Sequence, residues 1–216
     1  MIDARPILGR SPVIPVVTLP DVRDAAALGY ALADGGIDVV EVTLRSAAGI
    51  AAIAELRSSC PGLYIGAGTV WTQAQAVEAI AAGAQFIVSP GFADPVLAEC
   101  SDKGVPYLPG IQTVTETARL VQRGARAVKF FPAAVAGGPA ALRAFAAVFP
   151  GLAFCPTGGI TLETAADYLA LDCVPCVGGG WLTPDAALAA RDWDAIRTAA
   201  VAASKLAVAR EARRCA

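Results

Sequence analysis

The chain has 216 residues, 56% of them hydrophobic, and a formal net charge of −2. This length suits one sizeable core, so we expect a single domain over residues 1–216 that includes a C-terminal helix. The charge does not provide the basic surface that nucleic acid binding requires, and no apolar stretch has the form of a secretory signal or a membrane span. We therefore expect a cytoplasmic protein with neither a nucleic acid nor a membrane as partner.

Histidine is absent from the chain. Its absence excludes serine–histidine and cysteine–histidine nucleophile pairs and imidazole-bound catalytic metals. Cys173 and Cys176 form a CxxC pair, but there is no second pair to complete a zinc site, and we interpret both as small core residues. We expect no metal and no cofactor, so an enzyme of this sequence would use carboxylate, lysine, arginine or hydroxyl groups.

Short apolar runs alternate along the chain with alanine-rich helical stretches. Asp21, Thr72 and Thr113 precede three of these stretches as N-cap residues, and glycines close them. The pattern predicts an α/β protein, a single (β/α)8 TIM barrel, with a doubly wound open sheet as the alternative. The eight predicted strands occupy residues 12–19, 37–44, 63–70, 85–90, 106–111, 127–133, 153–159 and 175–181.

Two of the predicted strands carry charged side chains. Alternation along the second strand places Glu41, Thr43 and Arg45 on one face, opposite an apolar face. The sixth strand carries Lys129 between Val128 and two phenylalanines, where an unpaired ammonium would be costly to bury. A structural reading has Glu41 neutralising Arg45, and Lys129 extending to a strand end. The functional reading brings an acid, a lysine and an arginine together at the barrel mouth, as proton transfer and imine chemistry require.

The loops after four other strands extend this picture. The third strand ends in GAGTV, which offers the hydroxyl of Thr69, and the fourth ends in SPGF, where Pro90 forms a rigid wall. Glycine-rich PTGGI and VGGGW follow the seventh and eighth strands. Barrels commonly bind a phosphate with backbone N–H groups at these two positions, which makes the loops candidates for a phosphate site.

The motifs EVTLR, GAGTV, SPGF, VKFFPA, PTGGI and VGGGWL occur in this order between Pro12 and Pro184. In this order and spacing they resemble the 2-keto-3-deoxy-6-phosphogluconate aldolases, a family also described as having 4-hydroxy-2-oxoglutarate aldolase activity. The resemblance implies a (β/α)8 barrel, usually a homotrimer. It further implies cleavage of the phosphorylated keto acid to pyruvate and glyceraldehyde 3-phosphate without a metal.

The same resemblance implies roles for individual residues. Lys129 matches the Schiff-base lysine and Glu41 the general acid–base, while Arg45 and Thr69 match the groups that bind the pyruvate carboxylate. One departure is Gly180, because many members carry a serine at this position. The other matched positions line the substrate pocket or its phosphate end: Pro90, Phe131, Thr157, Gly158, Gly159, Gly179 and Gly180.

Three alternatives remain open from the sequence. An aldolase for the galactonate epimer would differ only in pocket details around Thr157. Isomerases, epimerases or synthases of sugar phosphates would share the glycine loops but would not need Lys129 paired with Glu41. A catalytically inactive binding module should have lost one of Glu41, Lys129 and Arg45, yet all three are present.

Overall fold

The computed structural model describes residues 2–206. Within this range, short parallel strands alternate with helices, as the apolar runs predicted. The strands are β1 (Val13–Val17), β2 (Val39–Thr43), β3 (Tyr64–Gly68), β4 (Phe86–Val88), β5 (Tyr107–Leu108), β6 (Gly110–Ile111), β7 (Ala127–Phe130), β8 (Ala153–Pro156) and β9 (Val177–Gly179).

Helices connect the strands and cover the outside of the sheets. A short 3-10 helix, Val22–Asp24, precedes the second α-helix. The α-helices are α1 (Arg5–Leu8), α2 (Ala25–Asp34), α3 (Gly49–Ser59), α4 (Gln73–Ala81), α5 (Asp94–Lys103), α6 (Val114–Gln122), α7 (Gly138–Val148), α8 (Leu162–Leu169), α9 (Asp185–Ala190) and α10 (Trp193–Ser204). The predicted C-terminal helix corresponds to α10, and residues 207–216 lie outside the described range.

The strands form two parallel sheets with consecutive order. Six strands follow the order β5-β4-β3-β2-β1-β9, and three follow the order β6-β7-β8. The last strand, β9, therefore lies beside the first, β1, an order that differs from the reversing order of a doubly wound sheet. A bridge between Thr157 and Gly178 joins the end of β8 to β9. The fold is thus an α/β fold with a curled parallel sheet.

The fifth predicted strand is divided in two. Pro109 separates β5, which pairs with β4, from β6, which pairs with β7. Proline has no backbone N–H to donate to a ladder, which accounts for the break at this position. The carbonyl oxygen of Pro109 still accepts a hydrogen bond from the Lys129 backbone N–H, at 2.9 Å. The break therefore leaves the strand that carries Lys129 anchored to its neighbour.

The predicted cap residues begin their helices. Thr72 and Thr113 each form a capping box, with Gln75 and Glu116 respectively as the reciprocal partners. Asp21 caps the 3-10 helix instead of α2, because its side chain accepts a hydrogen bond from the Arg23 backbone N–H. Thr72 begins α4 directly after the GAGTV loop, and Thr113 begins α6 directly after β6.

An apolar layer lies toward the amino ends of the strands. Ile7 and Leu8 of α1, which the sequence analysis did not predict, pack there with side chains that include Val39 and Ala127. Val39 and Ala127 precede Glu41 and Lys129 by two residues, so the four side chains share one face of their strands. This layer closes off the amino ends beneath the charged residues.

Candidate active site

A buried ion pair joins Lys129 of β7 to Glu41 of β2. The Lys129 Nζ lies 3.0 Å from Glu41 Oε1 and 3.2 Å from Oε2, and each residue is only 4% exposed. The two residues belong to different sheets and lie 88 positions apart in the chain. Isolated charges are expensive to bury, so the pairing explains how an ammonium fits in so apolar a strand. The structural reading that paired Glu41 with Arg45 is not what the structure contains.

An aromatic ring borders the ammonium. The Lys129 Nζ lies 5.7 Å from the centroid of the Phe131 ring, within the range of a cation–π contact. Gly158 also lies against this ring, because a Cβ atom there would be 3.1 Å from Phe131 Cε2. Phe131 is therefore near both the lysine and the first glycine-rich loop.

Arg45 is held at the mouth by a hydroxyl of its own strand. Its Nε donates a hydrogen bond to Thr43 Oγ1, at 3.3 Å, and the side chain is otherwise exposed. Thr43 is fully buried, and its Oγ1 lies 2.8 Å from Thr18 Oγ1. Alternation along β2 predicted Thr43 on this face, but Thr18 was not predicted. A signal was available, because Val-Thr-Leu ends both the first and the second predicted strands.

Thr69 follows β3 in an uncommon backbone conformation. Its φ is 61°, in the left-handed region that few non-glycine residues adopt, and its side chain is half-buried. The preceding carbonyl, of Gly68, accepts a hydrogen bond from the Leu44 backbone N–H at 2.9 Å. This bond ties the GAGTV loop to the segment that carries Arg45, the other expected carboxylate-binding residue. Non-glycine residues in this conformation cluster at functional sites.

The SPGF loop crosses directly over the strand beside Lys129. A Cβ atom on Gly110 would lie 2.1 Å from the carbonyl oxygen of Pro90, and Gly110 is the register partner of Lys129. The buried hydroxyl of Ser89 braces this loop by contacting the Tyr107 hydroxyl, at 2.5 Å, and the carbonyl of Gly91. Burial raises the pKa of Tyr107 to about 12. The neutral phenol thus remains a hydrogen-bonding partner of the loop over the ordinary pH range.

The two glycine-rich loops lie side by side. The bridge between Thr157 and Gly178 joins them, and a Cβ atom on Gly178 would lie 2.2 Å from Thr157 Oγ1. Gly158 and Gly159 have φ angles of 98° and 72°, which favour glycine. Gly180 is exposed, and the nearest atom to a Cβ there, the Val16 carbonyl oxygen, is 3.9 Å away. The second loop therefore has free space where many relatives were expected to carry serine.

The expected site residues occupy one end of the parallel strands. Direct contacts join Lys129 to Glu41 and to Phe131. Among residues 2–206, no hydrogen bond joins Arg45 or Thr69 to this pair. Residues 2–206 contain no group of three acidic, cysteine or histidine residues that could hold a metal ion, and none of their helices is long and apolar enough to cross a membrane.

A buried lysine touching a carboxylate, at the carboxyl ends of parallel strands, is suited to imine formation followed by proton transfer. This fold and site define a carbon–carbon lyase of the Schiff-base, or class I, type. The sequence model of the family described as "KDPG and KHG aldolase" matches residues 4–199. The chain belongs to this aldolase family.

Individual relatives are similar to this chain over almost their whole length. The chain is 44% identical over 194 residues to the 2-dehydro-3-deoxy-phosphogluconate aldolase of Dickeya dadantii, covering 90% of this chain and 91% of the relative. It is 43% identical to the KHG/KDPG aldolase of Escherichia coli, with the same coverage. A solved KDPG aldolase from Legionella pneumophila, with pyruvate captured as a covalent carbinolamine intermediate, superposes with a TM-score of 0.89 at 42% identity. That match covers 92% of this chain and 96% of the solved chain.

Proposed function

We propose that this protein is a class I aldolase that cleaves 2-keto-3-deoxy-6-phosphogluconate to pyruvate and glyceraldehyde 3-phosphate, and that it also accepts 4-hydroxy-2-oxoglutarate. The observation that carries the proposal is the contact of Lys129 Nζ with both Glu41 oxygens inside the curled sheet. An isomerase or synthase of sugar phosphates has no need for this pair. The covalent pyruvate intermediate of the Legionella relative supports the same chemistry.

Lys129 is the proposed nucleophile. Its amine attacks the C2 carbonyl of the keto acid to form a carbinolamine, which loses water to give a cationic imine. The cationic nitrogen, beside the Phe131 ring, then accepts the electron pair released when the C3–C4 bond breaks. The products of this step are the free aldehyde and an enamine of pyruvate on Lys129.

Glu41 is the proposed general acid–base. Its carboxylate accepts the C4 hydroxyl proton as the C4 carbonyl forms, either directly or through a water molecule, and then returns a proton to C3 of the enamine. Hydrolysis of the resulting imine releases pyruvate. Because Glu41 contacts Lys129 Nζ at 3.0 Å, it is also placed to move protons during carbinolamine formation.

The other residues bind the two ends of the substrate. Arg45 and Thr69 hold the pyruvate carboxylate, Pro90 and Phe131 line the pocket, and Thr157 faces the hydroxyl-bearing carbons. The proposed phosphate site consists of the backbone N–H groups of four glycines, which is consistent with the bridge that joins the two loops. These glycines are Gly158, Gly159, Gly179 and Gly180.

We further propose that the strands close into one (β/α)8 barrel within a single domain over residues 1–216. The pairing of β1 with β9, the split fifth strand shared by both sheets and the Thr157–Gly178 bridge support closure. A homotrimer is the proposed assembly. This assembly follows from the family resemblance, and light scattering of the purified protein tests it.

Borohydride reduction in the presence of pyruvate tests the imine. Peptide mass analysis should find the reduced pyruvyl adduct on Lys129 alone, although Lys103 and Lys205 are exposed and serve as internal controls. Cleavage is then measured with both C4 epimers of the phosphorylated keto acid, by coupling pyruvate to lactate dehydrogenase. Absence of the adduct from Lys129, or labelling of all three lysines alike, would contradict the proposed function.

A further inference from the structure

A buried threonine, Thr43, and a half-buried one, Thr18, lie next to Arg45 and take no part in the mechanism described above. The β1–β2 ladder pairs Val16 with Glu41 and Val17 with Val42, so the next register position sets Thr18 against Thr43. Their Oγ1 atoms lie 2.8 Å apart, at the carboxyl ends of the two strands. β1 ends at Val17, so beyond this residue the two strands are joined by the Thr18–Thr43 side-chain contact.

Thr43 Oγ1 is the hydrogen-bond partner that the structure gives to the Arg45 guanidinium. The bond joins Arg45 Nε to Thr43 Oγ1 at 3.3 Å. A threonine hydroxyl has one proton and two acceptor sites, so Thr43 can accept from Arg45 and donate to Thr18 at the same time. Thr43 is fully buried and lies in a strand, whereas Arg45 is exposed and follows that strand. A buried strand residue therefore holds the side chain of an exposed one.

We propose that Thr43 and Thr18 are positioning residues that orient Arg45 for the carboxylate of the substrate. Holding Nε against Thr43 fixes the plane of the guanidinium and leaves its two Nη groups to bind an anion from the open side. The inference rests on the proposed function, in which Arg45 binds the pyruvate carboxylate. It assigns a task to two side chains that do not touch the reacting atoms.

Loss of the Thr43–Arg45 bond should weaken binding of the substrate carboxylate and leave the chemical steps unchanged. Loss of the Thr43 hydroxyl leaves Arg45 Nε to water and frees the guanidinium, so binding of the carboxylate weakens. The Lys129–Glu41 pair, which has no recorded bond to either threonine, keeps its geometry. Thr43→Val should therefore raise the half-saturating concentration of pyruvate in imine trapping by about threefold to tenfold, the range expected for one net hydrogen bond. The maximal trapping rate should stay near that of the unmodified protein.

The test compares four variants with a matched control. Thr43→Ser keeps the hydroxyl, so its half-saturating pyruvate concentration should be that of the unmodified protein. Thr18→Val should raise this concentration less than Thr43→Val does. The double Thr18→Val, Thr43→Val variant should have the same half-saturating concentration as Thr43→Val, because both changes act through the bond from Arg45 Nε to Thr43 Oγ1. Thr117→Val is the control, since Thr117 is equally buried but donates its hydroxyl proton to the Thr113 carbonyl in α6. It should leave half-saturation unchanged.

Binding of oxamate, a carboxylate that forms no imine, gives a readout independent of Lys129. Its dissociation constant should shift by the same factors across the variants. If the unmodified protein failed to trap pyruvate, the proposed function would be wrong, and the oxamate series would still test the orientation of Arg45. Unchanged half-saturation and oxamate affinity in Thr43→Val, or an equal loss in Thr117→Val, would overturn the positioning role.

Discussion

The carboxylate of Glu41 occupies the space that a side chain at Gly68 would need. A Cβ atom on Gly68 would lie 2.1 Å from Glu41 Oε1 and 2.7 Å from its carboxyl carbon. Gly68 is the register partner of Thr43 in the β2–β3 ladder, two positions after the Gly66–Glu41 pair. The neighbouring strand thus leaves room for the Glu41 carboxylate, the proposed general acid–base, by having no side chain at this position.

Gly68→Ala should displace the Glu41 carboxylate and separate it from Lys129. A displacement of about 1 Å in a catalytic group can cost on the order of a hundredfold in rate, so we expect a fall in kcat of about this size. Gly62→Ala is the control, because a Cβ there meets nothing within 4 Å. Comparable kcat values for the two variants, measured by coupled pyruvate release, would show that Glu41 does not depend on this space.

Lys129→Arg tests the amine directly. Arginine keeps the positive charge beside Glu41, which protects the buried acid from losing its partner, but it stays protonated and cannot form an imine. We expect aldol cleavage near background and no borohydride adduct, with a circular dichroism spectrum like that of the unmodified protein. Turnover at the unmodified rate in a folded Lys129→Arg variant is the result that would refute the mechanism.

Glu41→Gln removes proton transfer and keeps the shape of the side chain. General acid–base catalysis is worth about a hundredfold to ten-thousandfold, so kcat should fall within this range while imine trapping falls less. Glu99→Gln is the matched control, because Glu99 is a buried carboxylate on α5 that accepts a hydrogen bond from Gln73. Equal losses of trapping and turnover would instead make Glu41 a partner in imine formation.

Gly180→Ser tests the phosphate end of the proposed site. The nearest atom to a Cβ at this position is 3.9 Å away, so the serine fits without displacing its neighbours. Its hydroxyl can donate to the phosphate, and a hydrogen bond to a charged group is worth about tenfold to hundredfold in affinity. We expect kcat/KM to rise for the phosphorylated keto acid and not for 4-hydroxy-2-oxoglutarate. If the ratio of the two substrates stayed constant, the backbone amides alone would set the phosphate affinity.

Alkaline pH should reveal the buried phenol beneath the SPGF loop. Burial raises the pKa of Tyr107 to about 12, and that of the Cys100 thiol also to about 12. Because burial raises these two pKa values, folding favours the neutral forms of the Tyr107 phenol and the Cys100 thiol. Their contribution to the free energy of unfolding is complete below the ordinary pKa values and declines as pH rises toward about 12.

Tyr107→Phe removes the phenol from this equilibrium. The alkaline unfolding midpoint, followed by circular dichroism, should move to higher pH, whereas Tyr30→Phe, at a tyrosine that is 54% exposed, should leave it in place. The ultraviolet absorbance of tyrosinate should show Tyr107 ionising with unfolding. Ionisation of all tyrosines before unfolding would contradict the assignment.

Periodicity predicted the strands well because alternation is a local property of the sequence. Every predicted apolar run contains a strand, and the faces assigned to Glu41 and Lys129 agree with their contact across the two sheets. The break at Pro109 could have been foreseen from the missing N–H. Motif spacing alone was enough to identify the aldolase family, because six motifs occur in the family order.

Features that depend on contacts between distant segments were not visible in the same way. Gly68 belongs to the GAGTV motif, but nothing local in the sequence shows that Glu41 fills the space beside it. Thr18 pairs with Thr43 only once the β1–β2 register is known. Helix α1 was missed because four residues are too few for a helical period to be recognised.

The division of the fifth strand at Pro109 has a consequence for how the enzyme could arise from parts. Glu41 belongs to the ladder that ends with β5, and Lys129 belongs to the ladder that begins with β6. A fragment that stops near Pro109 carries the acid without the amine, and the complementary fragment carries the amine without the acid. Each fragment lacks one member of the Lys129–Glu41 pair, so the proposed imine formation and proton transfer come together only where the two ladders meet.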